Sequence, residues 1–193
     1  MSAEPNQLPA QGWRARLELQ FQRRGQRTTL SHRAHHGPLL VQRAFYPESD
    51  ASHEVGAAAR GDAMAEPCHV YVIHPPGGVV SGDQLELGVD VQAHAHALLT
   101  TPAAGKFYRR HGERVARQTQ TLRIDGGVLE WLPQENIYYP DSAVVLRSVI
   151  RLSGQARFIG WEPSIPTWSP FAAKAGATPA GATRSPEKPP SVV

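Results

Sequence analysis

An alternation of apolar and polar residues with a period of two recurs along this chain of 193 residues. It is unbroken from Trp13 to Phe21, and it returns over 85–91, 115–124 and 143–152. Successive side chains of a strand point to opposite faces of a sheet, so this period predicts strands rather than helices. In the last stretch both faces are partly apolar, which is typical of a strand between two layers. The chain is therefore predicted to be all-β.

One turn between these strands combines two prolines with three glycines. This Pro-Gly turn, residues 74–83, has the sequence His-Pro-Pro-Gly-Gly-Val-Val-Ser-Gly-Asp. Proline restricts φ and glycine permits turns closed to other residues, so a rigid connection is predicted. A phosphate-binding loop would continue with Lys-Ser or Lys-Thr and a helix, whereas Asp83 and a strand follow here. We expect Gly78 to need a positive φ and the Asp83 carboxylate to be dispensable for folding.

Shorter turns divide the remaining strand patterns. The strand at 13–21 and a return strand at 28–34 predict an opening hairpin, and a further strand is predicted at 39–45. Asp125-Gly126-Gly127 predicts a hairpin-type turn, and 157–161 is expected to pair with the strand at 143–152 across Ser153-Gly154. The stretch 101–110 is consistent with either a short helical turn or an irregular crossing.

Composition narrows the class of protein. No apolar run approaches the roughly 18 residues that span a bilayer, and residues 1–11 lack the apolar segment of a secretory signal. A single cysteine, Cys68, excludes an internal disulfide and fits a reducing compartment, so a cytoplasmic protein without membrane contact is predicted. The net charge is only +3, and seventeen of the twenty basic residues are arginine, which favours protein partners over nucleic acid.

The chain divides into one domain with flexible additions. Residues 1–11 are predicted to be a disordered N-terminus and 12–162 a single β domain. Residues 48–67 have almost no large apolar side chain, so they are predicted to form an inserted flexible loop. Residues 163–193 hold seven prolines and six alanines without periodicity, and predict a disordered tail.

Two side-chain groups are candidate sites by chemistry. His94 and His96 would face the same way on a strand, which is a possible grip on nickel or zinc, although an exposed polar face is the alternative. Lys106 lies among apolar residues and would need a carboxylate partner if buried, with Asp83, Glu130 and Glu135 as candidates. Catalytic templates are absent: there is no Gly-x-Ser-x-Gly, no His-Glu-x-x-His and no Cys-x-x-Cys, so no enzyme is predicted.

Several separate motifs carry a family resemblance. They are Val41-Gln42-Arg43-Ala44-Phe45-Tyr46-Pro47, the Pro-Gly turn, Thr100-Thr101-Pro102-Ala103-Ala104-Gly105-Lys106-Phe107-Tyr108-Arg109, and Leu129-Glu130-Trp131-Leu132-Pro133-Gln134-Glu135-Asn136-Ile137. In order and wording they resemble the urease accessory proteins of the UreD type, called UreH in some organisms. The resemblance runs from about residue 12 to 162 and is interrupted at 48–67. In that family the Trp-Glu element continues into further strands and a helix, so a truncated or frameshifted reading frame is expected after Glu162.

The resemblance implies a fold and a function. The fold is stacked, β-helix-like sheets with one or two short helices. The function is urease maturation, as a scaffold for nickel insertion into the urease apoprotein together with UreF and the GTPase UreG, with nickel in transit and no tightly bound cofactor. Candidate nickel-passage residues carried over by motif are His74, Asp83, Lys106, Glu130 and Glu135.

Two alternatives come from other classes of protein. One is a β-rich hydrolase with no recognisable motif. The other is a basic β-module that binds nucleic acid, for which the chain offers only Lys106-Phe107-Tyr108-Arg109-Arg110.

Overall fold

Thirteen strands form in residues 12–47 and 65–167, the part of the chain that the computed structural model describes. They are β1 (Arg14–Arg24), β2 (Arg27–His36), β3 (Leu40–Val41), β4 (Cys68–Ile73), β5 (Gln84–Val91), β6 (His96–Thr100), β7 (Gly105–Phe107), β8 (Ala116–Asp125), β9 (Val128–Trp131), β10 (Asn136–Tyr138), β11 (Val144–Ser153), β12 (Arg157–Gly160) and β13 (Ser164–Pro166). The all-β prediction is confirmed, and no helix of a full turn occurs in the described residues. The predicted N-terminus (1–11), most of the predicted loop (48–64) and most of the predicted tail (168–193) lie outside them.

Strands β5 to β13 form three successive rungs of three strands each. Every strand pairs in parallel with its counterpart in the next rung, which gives the sheets β5-β8-β11, β6-β9-β12 and β7-β10-β13. Parallel strands need a crossover between them, and here each crossover consists of the other two strands of the rung. The prediction of stacked, β-helix-like sheets is confirmed.

The N-terminal strands cover one end of this solenoid. β1 and β2 form the predicted antiparallel hairpin, and β1 also pairs in parallel with β5. β4 pairs in parallel with β6, and β3 pairs antiparallel with β4. The strand predicted at 39–45 is reduced to β3, with a single bridge from Phe45 to His69 beyond it.

Two predicted hairpin turns are corners of the solenoid instead. β8 and β9 lie in different sheets, and β12 pairs with β9 rather than with β11. The turns hydrogen-bond to one another from rung to rung, since His94 N donates to Gly126 O and Gly126 N to Ser153 O. Each has one residue with φ near 60°: His94 (61°), Gly126 (62°) and Gly154 (61°). The predictions were wrong because a glycine turn is locally the same whether the chain reverses or rounds a corner.

Side chains inside the solenoid stack in ladders along its axis. The parallel register aligns Val89 of β5 with Leu122 of β8, and Leu122 with Ile150 of β11. Phe107 of β7 and Tyr138 of β10 stack with ring centroids 5.1 Å apart. Each rung thus covers the apolar side chains of the one before it, and burial of this surface stabilises the fold by about 25 cal/mol per Å².

One predicted boundary and one predicted element differ from the structure. Ser164–Pro166 form β13, paired with β10, so order continues past the boundary predicted at residue 163. The stretch 101–110 contains β7 rather than a helical turn. The described residues contain no helix long and apolar enough to cross a membrane.

Candidate functional site

A cavity of about 370 Å³, partly open to solvent, lies between the strands of the solenoid. It extends from the layer of β3 and β4 to the third rung, because its lining combines Leu39, Val72 and His74 with residues of β5, the segment 101–107, β8, Trp131, Asn136 and Glu162. The interior is therefore not filled completely by side chains, and the unfilled space crosses successive rungs.

A polar group faces the cavity where the ladders would otherwise be apolar. Gln120 is 3% exposed, and its amide donates a hydrogen bond to a carboxylate oxygen of Glu162. The other Glu162 oxygen accepts from Ser148 Oγ at 3.0 Å. Gln120 Oε1 and Trp131 Nε1 are buried and have no hydrogen-bond partner within the described residues. Buried polar atoms without partners each carry a cost of about 1–3 kcal/mol.

His74 lies in the cavity lining at the start of the Pro-Gly turn. Burial lowers the pKa of its imidazole, while the negative charge of Asp83 acts in the opposite direction. The lowered pKa keeps the ring neutral at pH 7, and a neutral imidazole is the form that ligates metals.

Lys106 also lines the cavity, but the carboxylate partner predicted for it is not there. Its side chain forms no ion pair with any carboxylate of residues 12–47 or 65–167. Lys106 is only partly buried, so its ammonium group does not require one. Of the five candidate passage residues, the cavity brings together only His74 and Lys106.

Asp83 is a structural residue, contrary to the expectation that folding could spare it. It is 1% exposed, Oδ1 accepts a hydrogen bond from Trp13 N at 2.8 Å, and Oδ2 accepts one from Val80 N at 2.9 Å. The carboxylate thereby fastens the chain before β1 to the Pro-Gly turn. It is not among the cavity-lining residues.

The reason expected for Gly78 is also wrong. Its φ is not positive, unlike those of Gly77 (73°) and Gly82 (90°). Instead the aromatic ring of Tyr108 occupies the position of a β-carbon, so that a Cβ on Gly78 would overlap ring atom Cε2. Glycine is needed here for close approach rather than for an unusual backbone angle.

The remaining candidates lie outside the cavity lining. Glu130 lies on the outer face of the β6-β9 sheet, where its carboxylate is 2.7 Å from Nε2 of His96. Glu135 contributes its backbone carbonyl to Gly105 N. His94 lies in a turn and only His96 in β6, so the premise that both share a strand face is wrong. No group of three or more potential metal ligands occurs among the described residues.

Sequence reasoning did not identify Gln120, Ser148 or Glu162. A signal existed for Gln120, which occupies an inward position of an alternating strand where an apolar residue is the norm. The Glu162 contact depends on how the third rung stacks on the second, and local sequence does not encode that register.

Comparison with known proteins agrees with the motif order. A family model described as "UreD urease accessory protein" matches residues 13–169. The chain belongs to the UreD family. The UreD of Aliivibrio fischeri strain MJ11 is 48% identical over 152 residues, which cover 78% of this chain and 47% of that relative. The UreD of Escherichia coli is 47% identical over 152 residues, covering 78% and 49%.

This UreD-family chain spans about half the length of the curated relatives that it matches. The Enterobacter sp. strain 638 relative, 40% identical over 162 residues, is covered to 53%. All three relatives are named urease accessory proteins, and the matched region includes the Pro-Gly turn and all three rungs of the solenoid.

Proposed function

We propose that this chain is a urease maturation factor and a scaffold for nickel insertion into the urease apoprotein, acting with UreF and UreG. Membership of the UreD family supports the link to urease. The observation that carries the nickel role is the cavity that crosses the rungs. The neutral imidazole of His74 lines it next to β4, and the Glu162 carboxylate lines it in the third rung.

The donors of the cavity suit a metal in transit. Imidazole nitrogen and carboxylate or amide oxygen bind a borderline ion such as Ni²⁺, and too few of them converge for a closed cage. Among the described residues no three potential ligands cluster. Nickel would therefore bind weakly, with a dissociation constant in the micromolar range or poorer, and exchange readily between successive donors. His74, Lys106, Gln120 and Glu162 are the proposed passage residues.

We infer a binding role rather than catalysis, and a cytoplasmic location. The relatives are named accessory proteins, and the sequence matches no catalytic template. The single cysteine, buried in β4, fits a reducing compartment, and burial raises the pKa of its thiol so that it stays protonated and inert.

The test is nickel loading of urease. The chain is co-expressed with the urease subunits and with UreF and UreG in nickel-containing medium, and nickel per urease active site is measured. His74→Ala and Glu162→Gln should lower loading several-fold, whereas His32→Ala, on the exposed part of β2, should not. A wild-type chain that does not raise loading would refute the maturation role. Normal loading by both cavity variants would refute the passage alone.

The pKa of His74 adds a pH signature. Because burial holds this pKa below the ordinary value, the imidazole stays neutral as pH falls towards 6, where exposed histidines become protonated. Nickel binding by the purified chain, measured by calorimetry between pH 8 and 6, should weaken less on acidification than in His74→Ala, where only the other histidines remain. A tight nanomolar site, or identical pH profiles, would contradict the assignment.

A further inference from the structure

The loops that follow β4, β7 and β10 meet at one edge of the solenoid. Tyr108 N donates to Val79 O, and Tyr139 N donates to Phe107 O. Arg110 N donates to Asp141 O, and His111 N donates to Ser81 Oγ at 2.6 Å. The Pro-Gly turn, the loop 108–115 and the loop 139–143 therefore form one hydrogen-bonded unit, which fixes the backbone from which the outer side chains extend.

The side chains presented there are unusual for a solvent-facing edge. Tyr108 and Tyr139 stack with ring centroids 5.2 Å apart and are 41% and 37% exposed, and Val80 is 45% exposed. Arg109 stands beside them, held by Asp141 at 2.9 Å. We name Val80, Tyr108, Arg109, Arg110 and Tyr139 the Tyr-Arg surface. Tyrosine and arginine are the residues enriched in energetically important parts of protein interfaces.

The Tyr108 ring of this surface is held in place, which reduces the entropy lost on binding. The Tyr108 ring lies between Gly78, where a β-carbon would overlap it, and the ring of Tyr139. Ordering a free side chain on binding costs about 0.5–1.5 kcal/mol, and a ring already clamped on both sides avoids most of that cost.

The charge around the Tyr-Arg surface is positive. Arg109, Arg110 and Arg114 lie in one loop, and a shallow hollow beside it is lined by Arg14, Arg114 and Arg117 together with Glu113. These five arginines outnumber Glu113, which lines the hollow, and Asp141, which pairs with Arg109. A surface complementary to this one is acidic around an apolar centre.

We propose that the Tyr-Arg surface docks an acidic surface of the urease apoprotein. This inference rests on the proposed function and adds to it the place of contact. Tyrosine and valine supply the apolar centre, and the arginines steer and orient the partner. Nucleic acid is disfavoured because a stacking site needs open ring faces, and here each Tyr ring already has one face covered by the other.

The test is binding of nickel-free urease apoprotein to the immobilised chain, measured by biolayer interferometry at 50 and 300 mM NaCl. Tyr139→Ala and Arg110→Glu should each weaken binding about tenfold or more, and the wild-type affinity should fall at the higher salt concentration. Two variants are matched controls: Tyr71→Ala, because Tyr71 is 38% exposed and packs on Phe45, and Arg33→Glu on exposed β2. Both should leave the affinity within about twofold.

Each other outcome overturns the inference in a distinguishable way. Wild-type binding that all four variants retain would place the contact elsewhere and leave the proposed function intact. No wild-type binding would refute both. Binding of a 20-base-pair DNA duplex that Arg110→Glu abolishes, with urease binding unchanged, would assign the surface to nucleic acid. A self-association that Tyr139→Ala alone disrupts, seen by light scattering, would assign it to a second copy of the chain.

Discussion

The Asp83 carboxylate shows how a charged side chain can serve folding inside a motif that looks functional. One oxygen accepts a hydrogen bond from the backbone N–H of Trp13, which precedes Asp83 by 70 positions. The other accepts one from the backbone N–H of Val80, which precedes it by 3. A carboxylate can do this because it offers two acceptor atoms and no donor. Removing it leaves two backbone N–H groups without partners in a partly buried place.

We therefore predict that Asp83→Ala lowers the free energy of unfolding by about 2–4 kcal/mol, and that Asp83→Asn, which keeps one acceptor oxygen, costs less. Chemical denaturation followed by circular dichroism measures both. The matched control is Asp90→Ala, since the Asp90 side chain is 46% exposed and forms only a 3.5 Å ion pair with Arg123; its cost should stay within about 0.5 kcal/mol. An Asp83→Ala protein of unchanged stability would show that the two hydrogen bonds contribute nothing.

At the scale of the structural element, the corner turns are the repeating unit of this solenoid. Their left-handed residue is glycine in the second and third rungs but His94 in the first. A residue with a side chain pays about 1–2 kcal/mol for that conformation, although histidine tolerates it better than most. The turn geometry is thus imposed by stacking on Gly126 rather than chosen by His94.

This argument predicts that His94→Gly leaves stability unchanged or raises it by up to about 1 kcal/mol, whereas His94→Val, which is β-branched, lowers it. Ala93→Gly is the control: its φ is not positive, so the substitution should only add flexibility and cost about 0.5–1 kcal/mol. Thermal unfolding of the three variants provides the measurement. If His94→Gly is destabilising by as much as Ala93→Gly, other contacts of His94 outweigh its backbone strain.

Strands could be predicted here, but apart from the β1-β2 hairpin their partners could not. Alternation is a local property, so β1, β5, β8 and β11 were located from the residues between Trp13 and Leu152. Parallel pairing between rungs joins residues about 30 positions apart. Its register is set by contacts between corner turns, such as the hydrogen bond from Gly126 N to Ser153 O, and these contacts leave no pattern in the local sequence. The equivalent turn position is His94 in the first rung and glycine in the next two, so the sequence does not show the turns as a repeat.

The candidate site was predictable to a similar extent. His74 and Lys106 were found through motifs, and both line the cavity. Asp83 was misinterpreted because sequence does not show that a turn carboxylate faces two backbone amides. Glu162 was missed because its contact with Gln120 crosses from the third rung to the second, and its contact with Ser148 joins two separate segments of the third rung.

At the scale of the whole molecule, the two ends of the solenoid differ. At one end β1 to β4 extend the sheets of β5 and β6, and of the first rung only β7 is an edge strand, whereas at the other end β11, β12 and β13 are all edge strands within the described residues. Large apolar side chains of this rung are exposed, with Leu152 and Ile159 at 54% and Trp161 at 51%. Edge strands with exposed apolar residues pair with other chains.

We predict that the 193-residue chain self-associates when it is purified alone. Val145→Lys combined with Ile159→Lys should shift it towards the monomer in light scattering, because lysine on an edge strand opposes pairing with a further strand. Val80→Lys, which adds one positive charge away from this rung, is compared with each of the two single lysine variants as the control for a general gain in solubility. A wild-type chain that is already monodisperse, or an equal benefit from Val80→Lys, would contradict the edge assignment.

The pairing of β1 with β5 has a consequence for synthesis on the ribosome. Trp13 and its partner Asp83 are 70 residues apart, which corresponds to roughly 4–14 s of translation at about 5–20 residues per second. During that time the opening hairpin can form, but the strand that covers its other edge has not yet been made. The nascent chain therefore passes through a stage in which Leu17, Leu19 and Phe21 face water, and binding of a chaperone would be most useful at that stage.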